Sequence, residues 1–362
     1  MKADIRAFLT LKRKKCMNMK ENTKVVFTGI KQVQLQQEAI PAFGDDEILV
    51  QNEVSLISTG TELTCLEANV DPDSMWATKS IKYPMNPGYS MVGKIIAAGK
   101  NVPADYIGKR VMYAKGHAAY HVLPAQCDDK QYYAFIPDTV TSEDATFTTI
   151  GIIVMASIRA AKLRPGEACV VFGAGLIGQF VARLAKLAGA TTVMVTDVSD
   201  QRLALLPKDP TFVPFNSAKG DPVAKIKELT DGRGADVVFE TTSIGELLQQ
   251  EMNCLAYAQA GRLIITSSPK HKCMIDLDFV SRAAITIIGA NNVSTHIASA
   301  SKENRWSCRN DQSYILELMS KKLLDVSGLV THRFAGKDAD KAYEMLMKDR
   351  TQAMGVLLNW EE

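Results

Sequence analysis

The stretch that most constrains this chain is Glu167-Ala168-Cys169-Val170-Val171-Phe172-Gly173-Ala174-Gly175-Leu176-Ile177-Gly178. A short apolar run, opened by the turn pair Pro165-Gly166, ends in a Gly-x-Gly-x-x-Gly loop. A helical pattern follows, with Ile177, Val181, Leu184 and Ala188 on one face and Gly189 where a helix stop belongs. The run Thr192 to Thr196 then reads as a second strand, and it ends in Asp197. Strand, glycines, helix, strand and acid in that order form the pattern of a dinucleotide-binding turn. Gly173 suits the tight turn, Gly175 the close approach of backbone to a pyrophosphate, and Gly178 the packing of helix on strand. Leu176 and Ile177 open the helix, whose free N–H groups and positive dipole end suit phosphates. Asp197 lies about 20 residues past the last glycine, where an acid hydrogen-bonds a ribose 2′-OH. A carboxylate there would repel a 2′-phosphate, which favours NAD over NADP. Arg202, one turn on, is the residue that speaks for NADP.

A chain of 362 residues exceeds one compact core and predicts two domains. Its net charge of +2 supplies no basic field for nucleic acid, and no arginine-rich stripe is interleaved with aromatics. The apolar stretch around Ile150 to Ala156 is far short of a membrane span. Cys16, Cys65, Cys127, Cys169, Cys254, Cys273 and Cys308 are scattered and odd in number. They read as free thiols of a reducing compartment, hence a cytoplasmic protein. The first eighteen residues carry Lys2, Arg6, Lys12, Arg13, Lys14 and Lys15 but lack a secretory signal's apolar core. A disordered basic tail is expected there, and Met17 and Met19 offer later starts.

From about Lys24 the pattern becomes strand-like. Val25 to Phe27, Val33 to Gln36, Glu47 to Gln51, Met91 to Ile96 and Arg110 to Tyr113 are short runs punctuated by glycine turns. Many short strands of this kind predict a partly open barrel. Thr148 to Ala161 reads as a helical bridge into the nucleotide domain. That domain continues with a helix from Asp221 to Leu229 and strands at 234–240, 261–265 and 284–288. Alternating strands and helices imply a parallel sheet, with ligands beyond the carboxyl ends of its strands. Thr241, Ser243 and Thr266 stand at such ends. They either face a cofactor or simply cap the strands.

Taken together, these stretches resemble the medium-chain dehydrogenase/reductase (zinc-type alcohol dehydrogenase-like) superfamily. Beyond the glycine loop, the resemblance rests on Gly88-Tyr89-Ser90-Met91-Val92-Gly93-Lys94-Ile95, Gly108-Lys109-Arg110-Val111, Gly234-Ala235-Asp236-Val237-Val238 and Leu329-Val330-Thr331-His332-Arg333-Phe334. It implies an α/β fold, a GroES-like partly open β-barrel joined to a Rossmann doubly wound parallel sheet. The expected boundaries are 1–22 for the extension, 23–148 with 292–362 for the catalytic domain, and 149–291 for the nucleotide domain. A homodimer or homotetramer is also implied.

Zinc-dependent members place a cysteine before a Gly-Ser/Thr-Asp turn, where this chain has Ser58-Thr59-Gly60-Thr61-Glu62. Their Gly-His-Glu motif corresponds to Gly88-Tyr89-Ser90, and their third ligand falls near the apolar Ile152. The stretch after Tyr113 holds only Cys127 in place of a four-cysteine lobe. A zinc site needs three or four N, S or O donors on one centre, so no metal is expected. Thr-Gly-Thr-Glu, Gly-Tyr-Ser and Gly116-His117-Ala118-Ala119-Tyr120-His121-Val122 are similar to a zinc-less branch that includes bacteriochlorophyllide a (3-hydroxyethyl) dehydrogenase-like proteins.

Without zinc, a side chain must take the alcohol proton while nicotinamide carries the hydride. Tyr89 is the first candidate, standing where the histidine ligand would project; an aromatic plug filling that volume is the alternative. His117 is the second, against a surface histidine without a role. Glu62 is a candidate for a substrate hydroxyl or for a structural pair, the latter preferred. Thr59 and Thr61 either bind substrate or satisfy the turn. At most one of Tyr120 and His121 faces the cleft. His332 reads as structural, His271 and His296 carry no signal, Lys115 reads as solvated, and Trp306 and Arg309 are candidates to overhang the cleft. The expected activity is zinc-independent, NAD-dependent interconversion of a secondary alcohol (a sugar, glycoside or cyclitol) and a ketone. Enone or quinone reduction with NADPH is the alternative enzyme, and a non-catalytic nucleotide binder the alternative outside catalysis. The implied partner is a small-molecule substrate.

Overall fold

The computed structural model describes residues 21–127, 132–291 and 306–361. Most of the basic N-terminal stretch, with Cys16, Met17 and Met19, and also His296, lies outside the described residues. The chain opens with β1 (Asn22–Gly29) and β2 (Gln32–Glu38), an antiparallel ribbon. Its Val25 and Phe27 amides donate to the carbonyls of His117 and Met85, which ties it to the barrel. Next come β3 (Glu47–Ile57), α1 (Thr61–Glu67), β4 (Met91–Ala98), β5 (Arg110–Tyr113), β6 (Tyr120–Pro124) and β7 (Tyr133–Phe135).

Two helices follow, α2 (Ser142–Ala145) and α3 (Thr148–Ala161). Thr141 caps the first by accepting from the Asp144 amide, a bond worth about 1 kcal/mol. The nucleotide half runs β8 (Ala168–Phe172), α4 (Leu176–Leu187), β9 (Thr192–Asp197), α5 (Asp200–Leu203), β10 (Phe212–Asn216), α6 (Pro222–Leu229), β11 (Val237–Glu240), α7 (Leu248–Asn253), β12 (Arg262–Ile265), α8 (Leu277–Arg282) and β13 (Thr286–Gly289). The last segment holds α9 (Cys308–Ser320), β14 (Val330–Ala335), α10 (Ala339–Lys348) and β15 (Gly355–Asn359).

The nucleotide half is a six-stranded parallel sheet in the order β10-β9-β8-β11-β12-β13. Strand order reverses between β8 and β11, and in such sheets ligands bind beyond the carboxyl ends at that switch point. The other sheet runs β14-β15-β3-β4-β5-β7, with β6 also paired to β3. The chain therefore returns at its end to complete the barrel sheet. Helix α3 is buried along nearly its whole length, from Thr148 to Ala161, as a helix apolar all round must be. Its Ile150, Val154 and Ile158 share one core with Val54, Val92 and Met112 of the barrel and with Val171, Phe180 and Leu184 of the nucleotide half. That shared core fixes the cleft between the two halves. No helix among the described residues is long and apolar enough to cross a membrane.

Three elements differ from the sequence reading for physical reasons. β3 runs on to Ile57 because the polar residues that interrupt its apolar pattern are satisfied inside the protein. Asn52 donates to the Ala118 carbonyl at 2.6 Å, and Ser55 bonds His117 and Trp360. Residues 61–67, read as part of a turn, form α1. β10 escaped notice because it contains Pro214, which an edge strand tolerates.

Candidate active site in the interdomain cleft

The glycine loop is built as its spacing demands. Gly173 has φ +98°, the left-handed region that favours glycine. A Cβ on Gly178 would stand 1.8 Å from the Gly173 carbonyl oxygen, so only glycine lets α4 start there. A Cβ on Gly175 would meet nothing, which leaves open space at the N-terminus of α4. Asp197 braces the loop from the end of β9. Its Oδ2 accepts from the Ala174 amide at 2.7 Å and its Oδ1 from the Ser199 amide at 2.9 Å. Thr241 braces the loop from the end of β11 by donating to the Phe172 carbonyl at 2.6 Å.

These residues line one wall of a cleft of about 430 Å³. Gly173, Gly175, Leu176, Ile177, Asp197, Arg202, Thr241 and Thr266 stand on that wall. The barrel side contributes Thr59, Thr61, Trp76 and Tyr89, and α3 contributes Ile150 and Ile153. Arg202 donates to the Arg350 carbonyl at 2.8 Å, while its Nε is buried without a partner among the described residues. The Thr266 hydroxyl is likewise buried and unpartnered among the described residues.

Tyr89 faces the cleft and is half-buried. Its hydroxyl donates to Ser58 Oγ and lies 3.4 Å from Thr61 Oγ1. Burial pushes the phenol above its ordinary value, and the hydrogen bonds to Ser58 and Thr61 pull it part of the way back. It is therefore a proton donor at neutral pH rather than a base.

His117 and Glu62 lie elsewhere, in place of the substrate-facing roles for which they were candidates. His117 is fully buried and Glu62 is 3% exposed, and neither lines the cleft. Glu62 Oε1 accepts from the Ser58 amide at 2.8 Å, and its Oε2 meets His117 Nε2 at 3.1 Å and the Tyr343 hydroxyl. His117 Nδ1 sits 2.8 Å from Ser55 Oγ, which itself accepts from Trp360 Nε1. Ser55 thus has its own proton free for Nδ1, which assigns the N–H of His117 to Nε2 and aims it at Glu62. Gly88 makes room: it has φ +105°, and a Cβ there would meet the His117 ring at 2.7 Å. The assembly locks α1, α10 and the barrel together beneath Tyr89.

The remaining candidates also fall away from the cleft. His121 bonds Asn52 and Tyr113, and burial pushes it down to about 3, so it is neutral; neither it nor Tyr120 lines the cleft. Lys115 donates to the Val122 carbonyl at 3.0 Å instead of standing free in solvent. Arg309 borders a separate cavity of about 670 Å³ between β7 and α9, and the Trp306 ring stacks 4.0 Å from the Arg159 guanidinium. His332 is half-buried, with its Nδ1 2.9 Å from Thr331 Oγ1. His271 reaches Asp71 of the barrel at 3.0 Å, and the Lys272 amide reaches the same carboxylate at 2.6 Å, a clasp across the cleft's edge.

Sequence reasoning missed Glu240, because an acid ending a buried strand gives no signal of its own. It is 2% exposed. Its Oε1 accepts from the Thr242 amide at 2.5 Å and the Ser243 amide at 2.7 Å, and its Oε2 from the Ser267 hydroxyl. One carboxylate thereby holds both hydroxyl-rich loops of the cleft wall. Glu251 of α7 is fully buried nearby, with neither oxygen partnered among the described residues. Burial first, and Glu240 second, raise it from 4.5 to about 9. The folded protein thus holds a proton there that the unfolded chain releases near pH 4.5, so stability falls as pH rises from about 4.5 to about 9. The expected result for Glu251→Gln is a flatter stability profile over that window in denaturant titrations. A profile as steep as the parent's would place the titration in another group.

Residues 177–305 match the family model described as "Zinc-binding dehydrogenase". An L-threonine 3-dehydrogenase from Coxiella burnetii is 26% identical over 360 residues, covering 91% of this chain and 96% of the relative. The crystal structure of 2R,3R-butanediol dehydrogenase from Bacillus subtilis superposes with a TM-score of 0.74 at 20% identity, covering 93% of this chain and 99% of that one. A zinc-binding dehydrogenase of Sinorhizobium meliloti 1021, bound to NADP, gives a TM-score of 0.74 at 19% identity, covering 94% and 100%.

Proposed function

The chain belongs to the medium-chain dehydrogenase/reductase, zinc-type alcohol dehydrogenase-like superfamily, and from that premise we propose that it interconverts a secondary alcohol and a ketone with NAD, without zinc. The observation that carries the reading is the cleft itself, with a glycine-loop wall opposite Tyr89, Thr59 and Thr61. Nicotinamide dinucleotide supplies the hydride acceptor or donor when bound. The chain's residues fit it: Gly173, Gly175 and Gly178 open the phosphate cradle, and Asp197 stands at the ribose position.

A zinc ion does not fit the donor set at the positions that hold it in zinc-dependent relatives. Thr59 and Tyr89 offer neutral hydroxyls, and Ile152 is a buried aliphatic residue. Zinc sites are made of thiolate, imidazole and carboxylate. Glu62, the nearest carboxylate in sequence, is engaged by Ser58, His117 and Tyr343.

Tyr89 gives its proton to the oxygen of the ketone as the alcohol forms and takes it back in the reverse direction. Ser58, which accepts from Tyr89, holds the phenol in place. Because burial raises the phenol, reduction proceeds with the neutral form through neutral pH, whereas oxidation needs the phenolate and speeds up as pH climbs into the alkaline range. Tyr89→Phe is expected to lower turnover about 100-fold or more and to remove the alkaline rise in oxidation. Dinucleotide affinity should stay within about twofold. Retained turnover in the variant would remove Tyr89 from proton transfer. Thr59, Thr61 and the unpartnered Trp76 Nε1 favour a substrate rich in hydroxyls, such as a sugar or cyclitol.

Asp197 supports NAD as the cofactor. Asp197→Ala is expected to weaken NAD about 10- to 100-fold, the range for one hydrogen bond to a charged group, and to shift preference toward NADP. Parallel titrations with NADH and NADPH measure it. An unchanged preference would overturn the ribose assignment.

A further inference from the structure

The proton route to the substrate has one more member than Tyr89. A phenol carries a single O–H hydrogen and fills one donor role at a time. In this cleft that hydrogen is already placed, because Tyr89 donates it to Ser58 Oγ. Thr61 Oγ1, the other oxygen within reach, lies at 3.4 Å, beyond the usual span of an O–H···O bond. A serine hydroxyl accepts through its lone pairs and still has its own hydrogen to give. Among the described residues Ser58 Oγ gives that hydrogen to no group of the protein. Ser58 is buried on the cleft wall beside Thr59 and Thr61, so the free hydrogen serves whatever the cleft holds. The residue is also fixed in place. Its amide donates to Glu62 Oε1 at 2.8 Å, and its carbonyl accepts from the Glu62 amide at 2.9 Å. Tyr89 is anchored from α3, where the Thr149 hydroxyl donates to the Tyr89 carbonyl at 3.1 Å. Both Glu62 oxygens are taken by the Ser58 amide, His117 and Tyr343, which leaves the Ser58 hydroxyl to the cleft.

We propose that Ser58 is the hydroxyl that touches the substrate oxygen, and that it relays the proton of Tyr89 to that oxygen. This rests on the reading of Tyr89 as the proton source and supplies the route its proton takes. In the reducing direction the ketone carbon is reduced by hydride from the dinucleotide, which is oxidised. The Ser58 O–H bond breaks as the O–H bond of the alcohol forms, and the Tyr89 O–H bond breaks as Ser58 regains its hydrogen. Tyr89 is left as the phenolate and recovers its proton from water. Oxidation runs the same two transfers backwards, from the alcohol to Ser58 and from Ser58 to the Tyr89 phenolate. The weakly acidic serine therefore never persists as an alkoxide. Direct donation by Tyr89 would first break its bond to Ser58 and leave a buried oxygen without its donor, at about 1–3 kcal/mol. The relay breaks no bond before the reaction. Linked hydroxyls also polarise one another, which strengthens each bond as charge develops.

The test is single-turnover reduction of dihydroxyacetone by NADH-saturated protein, followed by NADH absorbance in mixtures of light and heavy water. The relay predicts a bowed dependence of rate on deuterium fraction, since two protons move, and a straight line in Ser58→Ala, where one moves. Ser58→Ala should also lower the rate about 100-fold or more, with NADH affinity changed less than about twofold. Ser58→Thr keeps the hydroxyl and should restore both the bow and a rate within about fivefold of the parent. Thr61→Val should keep the bow, whatever it does to KM. Melting curves check that each variant folds. A straight line in the parent overturns the proposal, as does a bow removed by Thr61→Val in place of Ser58→Ala. Parental turnover in Ser58→Ala beside a silent Tyr89→Phe fails the relay alone, whereas parental turnover in Tyr89→Phe fails the reading beneath it. If no form reduces dihydroxyacetone, the Tyr89 phenol is titrated by NMR of ring-labelled tyrosine. A midpoint moved to higher pH in Ser58→Ala keeps the bond on which the relay stands, and an unmoved midpoint removes it.

Discussion

Replacing Gly178 with alanine should cost the protein about 100-fold or more in dinucleotide affinity and about 3 kcal/mol or more in stability. The added Cβ would stand 1.8 Å from the Gly173 carbonyl oxygen and 3.2 Å from Thr241 Oγ1. The obstacle is backbone, so no side-chain rotation relieves it. Either α4 backs away from the loop, which misdirects the N–H groups of its first turn, or Gly173 leaves the turn that Thr241 braces. Gly175→Ala is the control, since a Cβ there meets nothing within the protein. Its fold should be parental, with any loss confined to ligand affinity. NADH fluorescence titrations and denaturant melts read both effects. A Gly178→Ala protein that binds like the parent would remove the glycine loop from cofactor recognition.

Glu62→Ala should destabilise the protein by about 3 kcal/mol or more, because it strands three buried hydrogen-bonding groups at about 1–3 kcal/mol each. The substitution leaves the Ser58 amide, His117 Nε2 and the Tyr343 hydroxyl facing an empty space beneath the cleft. Tyr343 is held above its usual value by burial and by Glu62, so it stays neutral. Tyr343→Phe removes a single donor and should cost about 1–3 kcal/mol. Chemical denaturation of the parent and both variants measures the series. A Glu62→Ala protein of parental stability with lost turnover would instead return Glu62 to the chemistry.

The glycine loop, Asp197 and the parallel strands were legible because each rests on local geometry. A tight turn, a close helix–strand contact and a strand end impose residue types at fixed spacing. Helix α3 was legible for the same reason, its middle being an uninterrupted apolar run from Ile150 to Ala156. A structural pairing of Glu62 was expected, but its partners were not legible, nor was the burial of His117. They are 55 residues apart and meet through folding of the barrel, with Tyr343 arriving from 281 residues away. Nothing local distinguishes a histidine buried against a glutamate from one that faces a substrate.

The most direct test of a zinc-free, dinucleotide-dependent alcohol/ketone activity is turnover by metal-stripped protein. After exhaustive chelation and a metal assay, the protein is incubated with NAD and a panel of sugars, cyclitols and secondary alcohols, and absorbance of the reduced nicotinamide is followed. The account predicts reduction of NAD at the rate of the untreated protein, lost in Tyr89→Phe. Activity that disappears on chelation and returns with zinc would contradict it.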